Sequence, residues 1–367
     1  MPNLVLFEPY PVVSGPADKN RPEPLIANHV SAEPLVTTAR ITKVIKPCYV
    51  RIKAERRQVT VDIVGRKERA QVTGKAGPCV SNLVCVISRE IAARFTEIKT
   101  PSALLEAKDG KVFLCDKELP VIEPRDDFRE LTRPRKTVDA SNLLKALTAA
   151  SEYTGPVGRY DIHKILLDPD GPDLRVVGTD LVTMSHNVMK DAAQALGLKH
   201  PVLLEWSNVL ALPVFTKARA VTAAFTQSVA SFITGDVIWQ ELIEKGRFPR
   251  YRDALPDTKD WSNCPVDASA LGPVLDVLKK AKKETKLIEL MFDDKSAARF
   301  TVSGETANLT LPIRGYTGKP RVIKFRPELL MRGLTLSGLQ ALSISPSITA
   351  PCMFQNGTAV ALVMPAN

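Results

Sequence analysis

The chain contains one four-residue phrase twice, and the two copies are a domain's length apart. Val-Asp-Ala-Ser occupies residues 138–141 and again 266–269. An apolar pattern typical of a helix follows each copy, and Asp and Ser side chains accept hydrogen bonds from the free N–H groups of a helix start. The repeated phrase therefore predicts a duplicated structural unit.

Further helix starts of the same character extend this repeat. They lie at Ser88, Ser207 and Pro327, and apolar strand-like runs precede them at 83–87, 202–204 and 322–325. Together with Asp139 and Asp267, these markers recur about every 60 residues, and period-two stretches such as 174–177, 229–233 and 359–363 fill the intervals. We predict six half-domains in three pairs, each with one helix and several strands. The sixth helix start would fall near residues 24–30.

Bulk composition is that of a globular chain with room for several cores. The 367 residues suffice for two or three domains, and 44% hydrophobic with 25% charged residues is ordinary for a soluble protein. No apolar run reaches membrane-spanning length, and the N-terminus lacks the layout of a secretory signal. We expect a cytoplasmic protein that makes no membrane contact.

Metal and catalytic motifs are missing from the sequence. The six cysteines are scattered without a Cys-x-x-Cys pair, and the four histidines do not complete a zinc spacing, so we expect reduced thiols. The sequence has no Gly-rich phosphate loop, Gly-x-Ser-x-Gly elbow or His-Glu-x-x-His helix. We predict no catalytic residue, no metal and no cofactor.

Acidic turns are the nearest approach to a metal motif. Residues 168–173 look like the start of a calcium loop, but Thr179 stands where its glutamate would be, and a hairpin turn is the better interpretation. Asn356-Gly357 is a hairpin signal of the same kind. The pairs Asp126/Asp127 and Asp293/Asp294 suit turn and surface chemistry, with a nuclease metal site as the alternative.

The net charge of +10 leaves two interpretations open. A basic surplus favours a polyanionic partner, most often nucleic acid, but it also improves solubility when it is scattered over the surface. Basic residues share predicted helices with apolar stripes, which predicts helices with a core face and a cationic face. These basic residues are Arg89, Arg94, Lys145, Lys217, Lys279, Lys280, Lys282, Lys283 and Arg332.

Two stretches carry a family resemblance. Residues 159–167 (Arg-Tyr-Asp-Ile-His-Lys-Ile-Leu-Leu) lead through the acidic turn to a run that ends in Thr179-Asp180, and residues 246–251 read Gly-Arg-Phe-Pro-Arg-Tyr. Together with a Met-Pro pair near the C-terminus, they resemble the bacterial DNA polymerase III beta subunit, the beta sliding clamp family, as a divergent member. The resemblance is good over residues 136–257, fair over 258–367 and weak before residue 83.

The resemblance implies the fold and the function. The family has an α+β DNA-clamp fold of three similar domains, each with two helices packed on antiparallel sheets; here they would span 1–134, 135–257 and 258–367. Two chains would join head to tail into a ring that encircles duplex DNA without reading its sequence. Such a clamp is not an enzyme; it is a processivity factor that tethers DNA polymerase, the clamp loader and repair proteins.

The resemblance also implies two sets of functional residues. A pocket between the second and third domains would bind short peptide motifs of the partners, with a wall made of Ile162, Thr179, Leu181, Val182, Thr183, Met184, Pro249, Asp253, Ala254, Leu362, Met364 and Pro365. DNA contacts are expected at Arg89, Arg94, Lys145, Arg159, Tyr160, Lys217, Lys279, Lys280 and Arg332.

This sequence departs from the family pattern at the pocket. Leu181-Val182-Thr183-Met184 stands where Gly-His-Arg-Leu is usual, and Asp253 stands where an arginine is common. Two other classes of function remain as alternatives. One is a monomeric clamp-like adaptor for DNA or polymerase, which native mass would separate from a ring; the other is a metal-dependent nuclease.

Overall fold

The computed structural model describes residues 26–46, 48–55, 57–77, 83–108, 111–122, 131, 134, 136–283, 287–292, 297–302 and 305–366. Within these ranges, all strand pairing is antiparallel. No helix in them is long and apolar enough to cross a membrane.

The first part of the chain contributes eight strands and two helices over the described residues 26–119. In chain order they are β1 (Ile26–Ser31), α1 (Ala32–Thr42), β2 (Cys48–Glu55), β3 (Gln58–Gly65), β4 (Glu68–Lys75), β5 (Leu83–Ser88), α2 (Arg89–Ala93) with a 3-10 turn (Arg94–Glu97), β6 (Ser102–Lys108), β7 (Lys111–Leu114) and β8 (Lys117–Leu119).

The second part repeats this plan with one additional helix. Its elements are β9 (Val138–Asp139), α3 (Ser141–Ser151), β10 (Lys164–Asp170), β11 (Asp173–Thr179), β12 (Thr183–Met189), α4 (Ala192–Leu196), β13 (Val202–Glu205), α5 (Pro213–Thr216), β14 (Thr222–Phe225), β15 (Val229–Thr234), β16 (Val237–Leu242) and a 3-10 turn (Tyr251–Ala254).

The third part follows the plan of the first. Its elements are β17 (Ser262–Pro265), a 3-10 turn (Ala268–Ala270), α6 (Leu271–Lys283), β18 (Ile288–Phe292), β19 (Ala297–Val302), β20 (Glu305–Pro312), β21 (Arg321–Phe325), α7 (Pro327–Leu334), β22 (Ala341–Ile344), β23 (Cys352–Asn356) and β24 (Ala359–Val363).

These strands form six four-stranded halves of one topology, in which three consecutive strands make a meander and a fourth strand pairs with the first of them. The halves are β5-β2-β3-β4, β1-β6-β7-β8, β13-β10-β11-β12, β9-β14-β15-β16, β21-β18-β19-β20 and β17-β22-β23-β24. Two junctions, β4 with β16 and β12 with β24, join four halves into two eight-stranded sheets. The expected six-half, antiparallel α+β organisation is therefore present.

Most predicted helix starts agree with the structure. Ser88 accepts a hydrogen bond from the Ile91 N–H (3.5 Å) as the N-cap of α2, and α7 begins at Pro327. In the repeated phrase, Asp139 and Asp267 each accept bonds from the N–H and hydroxyl of the serine two residues later. The sixth helix, α1, begins at Ala32, two residues beyond the predicted window.

The helix start predicted at Ser207 is wrong. The Ser207 hydroxyl does accept a hydrogen bond from the Val209 N–H (3.2 Å). In residues 210–212, however, each N–H donates to the carbonyl three residues earlier, which makes successive turns, and α5 begins only at Pro213. Proline has no N–H to donate four residues back and disfavours α conformation in the residue before it. The helix therefore starts at the proline, where a missing N–H costs nothing.

Alternate residues of the strands belong to different apolar layers. Ile165 and Leu167 of β10 pack in the core that contains Leu143 and Leu147 of α3, whereas Leu166 lies in a separate cluster on the opposite face. Successive side chains of a strand point to opposite faces, so this sheet is covered on both sides. The helices lie on one face of the sheet. The face away from the helices, here called the outer face, carries the second apolar layer, which adjoins the predicted pocket.

Candidate functional site

The two stretches that carry the family resemblance contact each other. The Asp161 N–H donates to the Arg247 carbonyl (2.9 Å), and the Arg247 N–H donates to Asp161 Oδ2 (2.7 Å), which lowers the pKa of Asp161. The guanidinium groups of Arg247 and Arg159 lie 5.1 and 5.7 Å from the centre of the Tyr160 ring, a cation–π arrangement. Arg159 and Tyr160, both predicted DNA contacts, thus lie beside a second basic residue, Arg247, which the resemblance did not name as a DNA contact.

Arginines hold the acidic turn between β10 and β11. The Tyr251 hydroxyl donates to Asp168 Oδ2 (2.6 Å), and Arg252 donates to Asp168 (2.8 Å) and Asp170 (3.3 Å). Arg175 also donates to Asp170, and this bond, together with that from Arg252, lowers the pKa of Asp170. The predicted hairpin is confirmed, with Gly171 at φ 63°, and its carboxylates are ion-paired within the protein.

An apolar cluster lies on the outer face of the sheet that contains the β12–β24 junction. Partly buried Phe248, Leu255, Trp261 and Val360 pack against it. We call it the outer cluster; its buried members are Leu166, Val177, Met184, Leu203, Tyr251, Met353 and Leu362. Met184 and Leu362, two predicted pocket residues, are therefore part of a continuous apolar layer.

A tight turn between β11 and β12 borders this cluster. Asp180 Oδ1 accepts the N–H groups of Val182 (3.0 Å) and Thr183 (2.6 Å), and the Thr179 hydroxyl donates to the Thr183 carbonyl (2.7 Å). Leu181 has the left-handed value φ 73°, and its side chain is 59% exposed. The resemblance implies glycine at this position, so the turn has a glycine-like backbone with a large apolar side chain.

The C-terminal segment runs beside this turn. Thr183 pairs with Val363 and Met184 with Leu362, and then the Met364 N–H donates to the Val182 carbonyl (3.1 Å). Val182 and Met364 are 44% and 37% exposed. Exposed apolar side chains from two distant segments therefore meet above the outer cluster.

The structure brings most of the predicted pocket residues to this region. Seven of them, and Pro365 after Met364, lie along the β12–β24 junction: Thr179, Leu181, Val182, Thr183, Met184, Leu362 and Met364. Pro249, Asp253 and Ala254 lie on the segment that carries Tyr251 of the outer cluster. Ile162 is buried just before β10, where its carbonyl accepts the Gly155 N–H (2.8 Å).

Arg332, predicted as a DNA contact, reaches the turn between β11 and β12. Its Nη1 donates to Asp180 and to Thr183 Oγ1 (2.9 Å), and the Tyr153 hydroxyl donates to its carbonyl (2.7 Å). Sequence reasoning did not single out Asp180 or Tyr153 as partners of Arg332, because no local pattern relates residues so far apart.

A basic groove of about 900 Å³ lies between α3, α5, α6 and α7. Lys145 and Arg332 line it, as do Lys282 and Arg219, and two carboxylates, Glu152 and Glu328, are also present. Lys217 is exposed immediately after α5, and Lys279 and Lys280 are exposed on α6, where Lys279 pairs with Asp276 (3.0 Å). The helix face is therefore cationic around a shared concavity.

The first pair of halves places its two predicted DNA contacts differently. Arg89 donates from Nε to the Thr42 carbonyl (2.6 Å), so its guanidinium satisfies a free carbonyl at the end of α1. Arg94 is exposed and lines an apolar cavity of about 440 Å³ beside β8, together with Phe95, Leu114 and Leu119.

Candidate metal ligands do not converge in the part of the chain that the structure describes. Among those residues, no group of three His, Cys, Asp or Glu side chains could hold a metal ion. The Asp126/Asp127 and Asp293/Asp294 pairs lie outside the described residues. Cys79 also lies outside them, and the other five cysteines are free thiols.

Solved structures similar to this one are bacterial clamps. DNA polymerase III subunit beta from Pseudomonas aeruginosa matches with a TM-score of 0.76 at 16% identity, over 93% of this chain and 100% of that chain. The C. crescentus beta sliding clamp matches with a TM-score of 0.77 at 16% identity, over 94% of this chain and 100% of that one. The Helicobacter pylori beta clamp bound to a DNA ligase peptide matches with a TM-score of 0.75 at 16% identity, with 93% and 100% covered.

Sequence comparison alone does not reach this similarity. No family model and no curated protein matches the chain. The structural matches nevertheless span nearly all of the chain, including its first part, where the sequence resemblance is weakest. The chain has the α+β DNA-clamp fold of the bacterial DNA polymerase III beta sliding clamps.

Proposed function

We propose that this chain is a divergent beta clamp that closes as a head-to-tail homodimer around duplex DNA and tethers replication and repair proteins in the cytoplasm. Its domains would span 1–134, 135–257 and 258–367. The chain would act without catalysis or a cofactor, because a closed ring holds its partners on DNA topologically.

The pattern of strand junctions is the observation that carries the ring proposal. In both junctions, the third meander strand of one half (β4 or β12) pairs with the last strand of another half (β16 or β24). The equivalent strands of the remaining halves, β20 and β8, each pair on one side only among the described strands. A second copy that supplies β8 to β20, and β20 to β8, completes the pattern and leaves no unpaired edge of this type.

The helix face supports DNA as the encircled partner. Lys145, Arg219, Lys282 and Arg332 bring positive charge to one groove between helices. Lysine and arginine contacts to phosphates are independent of sequence and individually weak, which suits a ring that must slide. We assign Lys145, Lys217, Lys279 and Lys280 to the wall of the ring that would face DNA.

The junction between β12 and β24 supports partner binding through short peptides. The outer cluster and the exposed Leu181, Val182 and Met364 form an apolar surface with few polar anchors, which suits an extended peptide with bulky apolar side chains. One clamp of this fold is bound to a DNA ligase peptide and another, from Bartonella birtlesii, to griselimycin. For this chain we propose polymerase, clamp-loader and repair-protein peptides as the ligands.

Native mass tests the ring. We expect a species of twice the 40.2 kDa chain mass at micromolar concentration in native mass spectrometry. A species of one chain mass under those conditions would favour the monomeric adaptor. Cleavage of DNA with magnesium or manganese that depends on one aspartate would favour the nuclease.

A further inference from the structure

A second groove lies on the outer face, next to the proposed peptide pocket. Its volume is about 1200 Å³, and it runs between the β13 side of the sheet and the segment 243–253. Pro249 and Asp253, two of the predicted pocket residues, line its wall. The groove therefore begins where the peptide pocket ends.

Apolar side chains form the floor of this groove. Leu166, Leu203 and Tyr251 line it, and all three belong to the outer cluster that also contains Met184 and Leu362. Ile243 and Phe225 add partly buried apolar surface. One continuous apolar layer therefore extends from the pocket into the groove.

The rim of the groove carries uncompensated positive charge. Lys199, Lys245 and Arg250 are exposed, and no side-chain hydrogen bond or ion pair joins them to any described residue. The nearby carboxylates are already engaged: Glu244 pairs with Lys67 (3.0 Å) and Lys164 (3.1 Å). Asp168, similarly, pairs with Arg252 (2.8 Å), which leaves Asp253 as the one lining carboxylate without such a partner among the described residues.

We propose that this groove binds an acidic segment flanking the apolar motif of the partner peptides. This proposal rests on the proposed peptide-binding function and names the chemistry of its ligand. Aliphatic side chains of the segment would cover the floor, and its carboxylates would face Lys199, Lys245 and Arg250. The rim charges would contribute to peptide binding because no carboxylate among the described residues forms an ion pair with them.

Two features favour a peptide over nucleic acid in this groove. Its floor is apolar, and the Tyr251 hydroxyl already donates to Asp168, so the floor offers neither a cation nor a free donor to a phosphate backbone, which is recognised by such groups. The groove also lies on the outer face of the sheet, whereas α3, in the wall of the basic groove, packs on the opposite face.

Fluorescence anisotropy with two labelled peptides tests the proposal on the full chain. One probe is the DNA ligase peptide that the Helicobacter pylori clamp binds. The other is the same peptide extended at each end by Asp-Glu-Leu-Asp. We expect the extended peptide to bind about tenfold more tightly at low salt, a difference of about 1.4 kcal/mol.

Charge reversal locates the effect. In the Lys199→Glu, Lys245→Glu, Arg250→Glu variant, the extended peptide should lose its advantage while the unextended peptide binds as before. A matched variant with the same charge change elsewhere, Lys43→Glu, Lys46→Glu, Lys99→Glu, should keep the advantage. All six side chains are exposed, and thermal unfolding of both variants checks the fold.

The outcomes separate this inference from the proposed function. If the unextended peptide binds but the extension adds nothing, or if its advantage survives in the groove variant, the groove proposal is wrong and the pocket stands. If neither peptide binds the natural chain, both proposals fail. Binding of a short single-stranded DNA that is lost in the groove variant would assign the groove to nucleic acid instead.

Discussion

At the residue scale, one ion pair connects helix α7 to the turn between β11 and β12. Asp180 uses one carboxylate oxygen to hold the turn and the other to accept Arg332. Both side chains are largely shielded from solvent, at 31% exposure for Arg332 and 17% for Asp180. The turn holds Leu181 in a left-handed conformation, which costs a residue with a side chain about 1–2 kcal/mol. The Arg332–Asp180 pair thus supports a strained turn that presents the exposed apolar residues.

Replacement of Arg332 with alanine should weaken peptide binding more than it weakens the fold. The variant loses the bonds to Asp180 and Thr183 and leaves a shielded carboxylate without its cation, so we expect about a tenfold loss of affinity for the ligase peptide. Isothermal titration measures it. Arg332→Ala combined with Asp180→Asn should cost less than the sum of the single changes, because the two residues act as one unit.

Glu328 provides the control for this experiment. It lies on the same helix and lines the same basic groove as Arg332, but no hydrogen bond joins it to the turn. Glu328→Ala should therefore leave peptide affinity unchanged. Equal peptide affinity in Arg332→Ala and the natural chain would show that the pair has no role in positioning the turn.

The grouping of the proposed pocket residues was predictable from the sequence where they lie in contiguous motifs, and not where they meet across the chain. The runs 179–184 and 249–254 and the Met-Pro pair could be assigned to the proposed pocket because each is a local pattern. Arg332 was predicted to face DNA since it is a basic residue on an amphipathic helix. Its pairing with Asp180, 152 residues away, depends on how two modules pack, and no local pattern encodes that packing.

At the element scale, the β4–β16 junction places two glutamates directly opposite each other. Glu68 pairs in register with Glu241, and Glu205 is also close, because its N–H donates to Glu241 Oε1 (3.2 Å). Burial, reinforced by the charges of Glu68 and Glu205, raises the pKa of Glu241 to about 9. Its Oε2 is buried without a hydrogen-bond partner in the described structure. This strand pairing is therefore weakened by a carboxyl group that prefers to be neutral.

Glu241→Gln should stabilise the fold at neutral pH. Between the ordinary value of 4.5 and about 9, the unfolded chain has lost the Glu241 proton and the folded chain has kept it. Stability therefore falls as pH rises through this window, and the glutamine variant, which cannot ionise, should gain about 1–3 kcal/mol at pH 7. Urea unfolding at several pH values measures the gain, which should vanish below pH ~4.5.

Glu244→Gln should behave in the opposite way. Hydrogen bonds from Lys67 and Lys164 lower the pKa of Glu244, so its ionised form favours folding above the ordinary pKa. The variant should lose stability at neutral pH and converge with the natural chain in acid. If the free energy of unfolding depended on pH in the same way in Glu241→Gln and in the natural chain, that result would contradict the assignment of a neutral buried Glu241.

Strands and turns were easier to predict than the short helices. Period-two runs and the Asn-Gly and Asp-Pro-Asp-Gly turns select strands and hairpins by backbone geometry, and β10–β11 and β23–β24 form as expected. The marker at Ser207 failed because Pro213 delays the helix. Helix α4 was not predicted: it has five residues, between Asp191 and Gly197 in left-handed conformations, too short for a helical period to show.

At the scale of the whole molecule, the two internal junctions share one register. The first residue of β16, Val237, pairs with the fifth residue of β4, Val72; the first residue of β24, Ala359, pairs with the fifth of β12, Asn187. If β8 of one copy meets β20 of another in the same way, Lys117 pairs with Leu309 and Glu118 with Asn308. The structure of one chain thus predicts the register of the interface between two chains.

A cysteine pair tests that register. In a Cys115→Ser background, which removes the exposed thiol near β8, we expect Glu118→Cys with Asn308→Cys to form intermolecular disulfides under mild oxidation. Directly opposite residues of antiparallel strands lie about 4.5–5.5 Å apart at Cα, within disulfide reach. Because both junctions of a two-chain ring would be bridged, non-reducing gels should show a closed dimer and no higher oligomers.

Glu118→Cys with Thr310→Cys, two residues out of register, is the matched control and should cross-link far more slowly. Equal cross-linking of both pairs would contradict the shared register, and ladders of higher oligomers would indicate an open chain of subunits in place of a ring.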